Sequence, residues 1–401
     1  MNILVLTNIY PAPDLEKENT PVVHYFAREW VKMGHSVFVV HYPANFPRIY
    51  MWAGSLLRKQ LSSKLGTPIR ITQAAMKEYE LDGVKVKRIP LMKYKLHGAY
   101  PKKQLRMAYR ETRRYLDSEK FRPTIIISHW VNPQLEIMER LKRDFQVPTC
   151  YVAHTPVQEF NIYENNRARD MISKIDLIGF RSQYIKDVFL RTFGYTGLTF
   201  QCYSGIPEKY ISNKNIDRKF ESVTRFIFVG TLIKRKYPAE IVPAMVMAFG
   251  EEDFEITYIG KGREESTILR YAKLLGVSKK IHLLGKIGRD DIMRHLRQSD
   301  VFVMNSRSEA FGLVYLEAMA QGCITIASRH EGFDGIIRDG ENGFLCNAGD
   351  IDDLASTIKK IRSLKAEHLK SISNKAIETA RQLTDKKAAT IYLQELIKLI
   401  K

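Results

Sequence analysis

From one end of the chain to the other, short apolar and β-branched runs alternate with helical patterns, and few folds tolerate that order. A helix between two strands carries the chain back so that both strands run the same way. The result is a parallel sheet covered by helices on both faces. Strands are expected at Ile3 to Thr7, Ser36 to His41, Val84 to Ile89, Thr124 to Ser128, Thr149 to Ala153 and Leu177 to Phe180. A second series is expected at Phe226 to Gly230, Glu255 to Gly260, Ile281 to Leu284, Val301 to Met304, Ile324 to Ala327 and Gly343 to Cys346. The polar stretch between the series, rich in Asn and Lys, reads as a linker over 205–221. The fold class is therefore α/β, with two Rossmann-like doubly wound domains, 1–204 and 222–401, facing a cleft. The second ends in helices with no strand among them, from Ile351 onward. Ligands of such sheets bind outside the carboxyl ends of the strands, so the cleft is the expected site.

Composition fits a soluble, two-domain globular chain: 401 residues, 45% hydrophobic and 27% charged, which excludes disordered and collagen-like classes. The 63 Lys and Arg exceed the 44 Asp and Glu by 19, which calls for an anionic partner. The excess is uneven. From Asn45 to Arg122 there are 19 basic and 6 acidic residues, so 13 of the 19 net charges lie in that stretch. Within it, Ile49, Ala53, Leu57, Leu61 and Leu65 recur every four residues, with Arg58, Lys59 and Lys64 on the other side. Such a helix either packs on its own domain with a solvated basic face or lies on an anionic membrane surface, helped by the basic 45–122 region as a second signal. Nucleic acid is the competing partner of another class, but no helix-turn-helix, RNA-recognition or zinc-finger pattern accompanies the charge, and nucleic acid is not expected. Cys150, Cys202, Cys323 and Cys346 form no CxxC pair and read as small buried hydrophobes in a reducing compartment. The opening MNILVLTNIYPAP has no basic leader and reads as a first strand, and no apolar run reaches the roughly 18 residues of a membrane span. A cytoplasmic protein, peripheral on the inner face of the cell membrane, is expected.

The segment Asn305 to Gly322, NSRSEAFGLVYLEAMAQG, carries the most chemistry. It follows an apolar strand and turns into a helix near Phe311 or Gly312. That geometry aims free backbone N–H groups and the positive helix end at an anion such as a diphosphate. Gly312 at the turn lets the backbone approach closely. Glu309 lies in the loop and Glu317 eight positions later in the helix. A carboxylate near a phosphate site can accept two hydrogen bonds from a ribose diol, and one in the loop can reach the group beyond the phosphates. Spacing alone does not single out these two glutamates, since a helix glutamate is commonly just solvated.

The whole phrase resembles the Glu-x7-Glu signature of the family 4 retaining glycosyltransferases, which have the GT-B fold. Further matches follow in the expected order: GTLIKRK at Gly230 to Lys236, His154 after an apolar strand, and DGENGFL at Asp339 to Leu345. The resemblance implies a retaining, hexosyltransferase-like enzyme of the bacterial surface polysaccharide type, moving a sugar from a nucleoside-diphosphate sugar to an acceptor hydroxyl; the basic, amphipathic first domain suggests a lipid-linked glycan as that acceptor. It implies that Lys236, with Gly230 and Thr231 in its loop and Phe311, Gly312 and Leu313 at the helix end, holds the diphosphate. Glu317 then binds the ribose, while Glu309 and His154 position the sugar. His129 and Trp130, at the preceding strand end, are weaker additions.

Two departures stand out. The family's arginine in the GTLIKRK loop is replaced here by Thr231, leaving Lys234 or Arg235 to supply the lost charge. The loop Asn8 to Val23, where the family has paired glycines, contains none. A departing diphosphate needs fixed cations, and the basic loop meets that need, so no metal and no other cofactor are expected. A retaining reaction requires no dedicated base; an inverting one would draw on Asp14 or His24. Base recognition is placed near Leu283 to Lys286, with UDP favoured over GDP as the donor nucleotide. A sugar epimerase or phosphorylase on the same fold remains the alternative.

Overall fold

The computed structural model describes residues 1–15, 21–47, 73–95, 98–211 and 218–400. The amphipathic stretch Ile49 to Leu65, residues 16–20 of the first loop and residues 212–217 of the expected linker lie outside the described residues.

The chain divides into two compact units. The strands of the first are β1 (Asn2–Thr7), β2 (Ser36–His41), β3 (Ala44–Asn45), β4 (Lys77–Leu81), β5 (Val84–Arg88), β6 (Leu91–Met92), β7 (Ile125–His129), β8 (Thr149–Ala153), β9 (Leu177–Phe180) and β10 (Leu198–Gln201). Eight of them form one sheet in the order β10-β9-β8-β7-β1-β2-β5-β4, and β3 pairs with β6 separately. The pairings are parallel except β4 with β5. Strand β1 pairs with β2 on one side and β7 on the other, so the order reverses between β1 and β7. The inner strands are buried along their length, as a sheet covered on both faces requires.

The second unit carries β11 (Arg225–Val229), β12 (Glu255–Ile259), β13 (Ile281–Gly285), β14 (Val301–Val303), β15 (Ile324–Ser328) and β16 (Phe344–Cys346). They run in parallel in the order β13-β12-β11-β14-β15-β16, which puts the reversal between β11 and β14.

The expected strands are all present, within one residue at each end. The expected boundaries, 1–204 and 222–401 with a linker over 205–221, differ from the structure at both ends: the second unit is Ser182–Tyr184 and Ser204–Thr384, so the described linker residues belong to it. The first unit comprises Met1–Arg181, Ile185–Tyr203 and Asp385–Lys401, so the last helix, Asp385–Ile400, belongs to it and not to the second. Its stripe of Ala388, Ala389, Tyr392, Leu393 and Leu396 is buried in the first core. Trp30 Nε1 donates to Ala389 O at 2.9 Å, and the Tyr392 ring meets Trp30, Phe26 and Phe200 at 5.0, 5.3 and 5.0 Å. Sequence order ties this helix to the second domain, but its apolar face fits a hydrophobic surface of the first.

The antiparallel strand β4 was not expected. Its KEYEL is mostly polar because it is an edge, open to water on one side. The hairpin signal was nonetheless there: Asp82 and Gly83 take positive φ of 50° and 76°, the two-residue turn that Asp-Gly favours.

Candidate active site

In the second unit, the loops that follow β11 and β14 leave adjacent strands at the reversal point, the place where a doubly wound sheet binds ligands. The first loop closes into a single 3-10 turn, Lys234–Lys236. The second runs to a helix that starts at Leu313, one or two residues later than expected. Gly312 is its N-cap with φ 82° and no side-chain capping bond; the Tyr315 N–H donates to Gly312 O at 3.0 Å, so the Leu313 and Val314 N–H groups and the positive helix end are what the turn offers an anion. A Cβ at Gly312 would stand 2.5 Å from the Tyr315 ring and 3.2 Å from Glu309 Cγ, so both conformation and space demand glycine.

Glu309 joins the two loops. Its Oε2 accepts from Lys236 Nζ at 2.7 Å, with Arg235 Nη1 at 3.5 Å, and its backbone N–H donates to Glu331 Oε2 at 3.0 Å. Burial pushes the Glu309 carboxyl up, but Lys236 and Arg235 outweigh burial and hold it below the usual value, so it stays ionised. Lys234 turns elsewhere and pairs with Glu240. Thr231 is exposed, and the Gly230 N–H is committed to Ile259 O at 2.9 Å.

Glu317 is buried rather than solvated, on the second turn of the helix. Arg289 holds its Oε1 through Nε at 2.8 Å and through Nη2, and the Arg289 guanidinium sits 5.0 Å from the centre of the Tyr210 ring. Burial pushes the Glu317 carboxyl up, and Arg289 offsets this in part.

In the first unit, His154 follows β8 and His129 ends β7, the strand at that sheet's reversal point. His129 Nδ1 and His154 Nε2 are 3.0 Å apart, and the Trp130 ring stacks on His154 at 4.0 Å and 15°. Burial, then the Arg181 charge, lowers His129 to about 3. Burial, then His129 and Arg181, holds His154 well below its usual value. Both rings are neutral at physiological pH, so one N–H must be shared between the two facing nitrogens. His129 Nε2 is buried with no partner among the described residues.

Two family models match the chain: glycosyltransferase family 4 over residues 21–206 and glycosyl transferases group 1 over residues 211–379. This chain is a glycosyltransferase of the family 4 type. The N-acetyl-alpha-D-glucosaminyl L-malate synthase of Bacillus anthracis is 35% identical over 149 residues, 37% of this chain and 38% of that relative. The lipopolysaccharide core biosynthesis glycosyltransferase LpsE of Rhizobium meliloti is 34% identical over 33% of this chain and 38% of its own. The chain thus spans well under half the length of these relatives in each match. The Anabaena HepE protein, solved in complex with UDP and glucose, superposes with a TM-score of 0.67 at 15% identity, over 99% of this chain and 100% of that one. The likeness in fold is to a GT-B glycosyltransferase.

In this glycosyltransferase the structure brings together Lys236, Glu309 and Gly312, with Phe311 buried behind them against Phe333 at 5.5 Å between ring centres. His154 meets His129 and Trp130, the two residues rated weaker from sequence. Neither residue named as an inverting base is free. Asp14 receives both terminal nitrogens of the fully buried Arg88 at 2.8 and 2.7 Å, and that pairing lowers its carboxyl to about 2. His24 has its Nδ1 on the Tyr10 hydroxyl and its Nε2 on Asp82, each at 2.9 Å.

Sequence reading missed the Gly260-Lys261-Gly262 loop after β12. A Cβ at Gly260 would stand 1.9 Å from Gly230 O, so glycine there lets the β12 loop lie against the cationic loop. The signal was present as a GxG at a strand end. It also missed Arg289, which no periodicity marks, and Asn305, just past β14, whose side-chain nitrogen and oxygen are both buried without a partner among the described residues. A cavity of about 510 Å³ lies at the other end of the first sheet, beside Thr149 at the start of β8, lined by Leu135, Met138, Met171 and Ile175. It is remote in the fold from His154, which follows the opposite end of that strand.

Proposed function

We propose that this glycosyltransferase moves a sugar, with retention of configuration, from a nucleoside diphosphate to an acceptor hydroxyl, without a metal or other cofactor. The observation that carries the reading is the Lys236 to Glu309 contact at 2.7 Å, set beside the uncapped helix start at Gly312. Lys236 and the N–H groups of Leu313 and Val314 meet the diphosphate as charge develops on it, which is where fixed donors lower a barrier most. The bond from the anomeric carbon to the phosphate oxygen breaks, and a bond to the acceptor oxygen forms. The acceptor proton passes to the departing diphosphate. The commitment of Asp14 to Arg88 and of His24 to Tyr10 and Asp82 favours this route over one with a protein base.

Glu317 is assigned to the ribose, sharing or exchanging its Arg289 partner when the diol arrives. Glu309 and His154 are assigned to the sugar hydroxyls; His154 orients it as a neutral ring and does not abstract a proton. UDP is favoured as the nucleotide, in keeping with the UDP complex of the Anabaena neighbour.

The acceptor is proposed to be a lipid-linked glycan in cell-surface polysaccharide assembly, reached at the inner face of the membrane by a cytoplasmic, peripheral protein. The lipopolysaccharide relative favours this acceptor. So does the helix Lys102–Ser118, whose Lys102, Lys103, Arg106 and Arg110 are exposed on a polybasic face. Among the described residues no helix is long and apolar enough to cross a membrane. Anionic vesicles should therefore retain the protein at low salt and release it at high salt; equal recovery with neutral vesicles would remove the membrane step.

The transfer itself is tested with UDP- and GDP-sugars and a polyprenyl-linked glycan. The expected product is a new glycoside with the anomeric configuration of the donor. An inverted linkage would refute retention, and a free epimer or sugar phosphate would move the chain to the epimerase or phosphorylase reading.

A further inference from the structure

The turn after β11 presents three consecutive cations, and they point to two different places. Lys234 pairs with Glu240, a carboxylate only 10% exposed in its side chain, whose second oxygen is buried without a partner among the described residues. Pulling Lys234 away would strand a buried charge, so this lysine is committed. Lys236 holds Glu309 at 2.7 Å. Between them Arg235 has its backbone oxygen fixed by the Arg307 N–H at 2.7 Å, while its side chain is 45% exposed. Its Nη1 stands 3.5 Å from both Glu309 Oε2 and Ser308 O, a reach longer than a settled charged hydrogen bond.

We infer that Arg235 supplies the cation missing at Thr231, closing on the donor diphosphate beside Lys236. The inference rests on the donor reading above. Thr231 is exposed and brings only a neutral hydroxyl to the strand end. One carboxylate facing two cations leaves a single positive charge over, next to the Gly312 helix start, whose nearest non-neighbouring side chains include Glu309. A guanidinium fits two phosphoryl oxygens at once through its planar fork, which the ammonium of Lys234 does not. The loose contact to Glu309 keeps Arg235 near its work without locking it there.

The test is calorimetric titration of the full chain with UDP and with GDP. Arg235→Ala is expected to raise Kd about tenfold to a hundredfold, the usual weight of a charged hydrogen bond. Lys234→Gln should stay within about twofold, and Thr231→Arg in the Arg235→Ala background should recover most of the loss. Melting without nucleotide should be unchanged in Arg235→Ala and in the double variant, whose replaced side chains are exposed, and lowered in Lys234→Gln, which takes the cation from the buried Glu240 carboxylate. If Lys236→Ala loses binding while Arg235→Ala does not, the Arg235 assignment falls and the donor site stands. Loss in Arg235→Ala without recovery in the double variant also overturns the substitution for Thr231. If wild type binds neither nucleotide, or Lys236→Ala binds as well as wild type, the donor reading itself fails.

Discussion

Glu309, in the loop after β14, is mostly buried, its side chain 15% exposed, with two cations beside it, whereas His129 and His154, at the ends of β7 and β8, are buried with each other and an indole. The first arrangement keeps a charge where water is scarce; the second removes charge altogether. Both lie at the carboxyl ends of strands in doubly wound sheets, so fold position does not explain the difference. The neighbours do. The β11 loop is built of Lys and Arg, and a buried carboxylate there is ionised at little cost. The β7 end rests on Phe26 and Tyr392, with ring centres 6.3 and 6.2 Å from His129, His154 at the β8 end stacks on Trp130, and such surroundings favour neutral rings. On the proposed function, the first environment suits a diphosphate and the second suits sugar hydroxyls.

The neutral region depends most on packing, so Tyr392→Ala is the severest way to break the comparison. It should cost about 3–5 kcal/mol in urea unfolding and admit water to His129. A cost under 1 kcal/mol would mean the last helix contributes little to the first core. In the charged region Lys236→Ala should lower kcat/KM by roughly 10² to 10³, with a smaller stability loss than Tyr392→Ala because Arg235 still faces Glu309. Activity within threefold of wild type would remove Lys236 from the reaction.

Acid should separate the regions further. His129 has a folded pKa of about 3, so its contribution is complete above the unfolded value near 6.5 and shrinks as pH falls below it. The loss should approach about 2 kcal/mol by pH 5. Glu309 is lowered instead, and its contribution holds until pH falls below the ordinary carboxylate range. Glu159, which accepts from the Val131 N–H at 2.8 Å, opposes the histidine: burial raises it to about 7, so the folded carboxyl gains stability as pH falls from 7 toward 4.5. Melting curves should therefore show a steeper acid-side loss in Glu159→Gln and a shallower one in His129→Asn. Parallel profiles in all three proteins would refute the neutral pair. The smallest effect on turnover belongs to Lys234→Gln, which should leave kcat/KM nearly unchanged even though it lowers the melting temperature by taking the cation from the buried Glu240.

Most of the fold was legible because a parallel sheet buried on both faces writes continuous apolar strands into the sequence. Edge strand β4 was hidden by its polar composition, and only its Asp-Gly turn announced it. The Lys236, Glu309 and Gly312 set was legible because one short loop and one strand-loop-helix segment carry it. Arg289 was not, because the partner of Glu317 comes from another helix at no fixed spacing. Arg88 was counted with the surplus positive charge, yet it is fully buried on Asp14, 74 positions away.

The sequence by itself determined two α/β units, the order of their strands along the chain and a cationic loop facing a glycine-capped helix, since each is set by neighbours within a few residues. Tertiary structure alone decided which unit the last helix completes, which of three adjacent cations is held by Glu240 and which two converge on Glu309, and that His129 and His154 lose their charge. Those outcomes follow from burial and from partners distant in the chain, and the energy of a buried charge depends on what surrounds it in space.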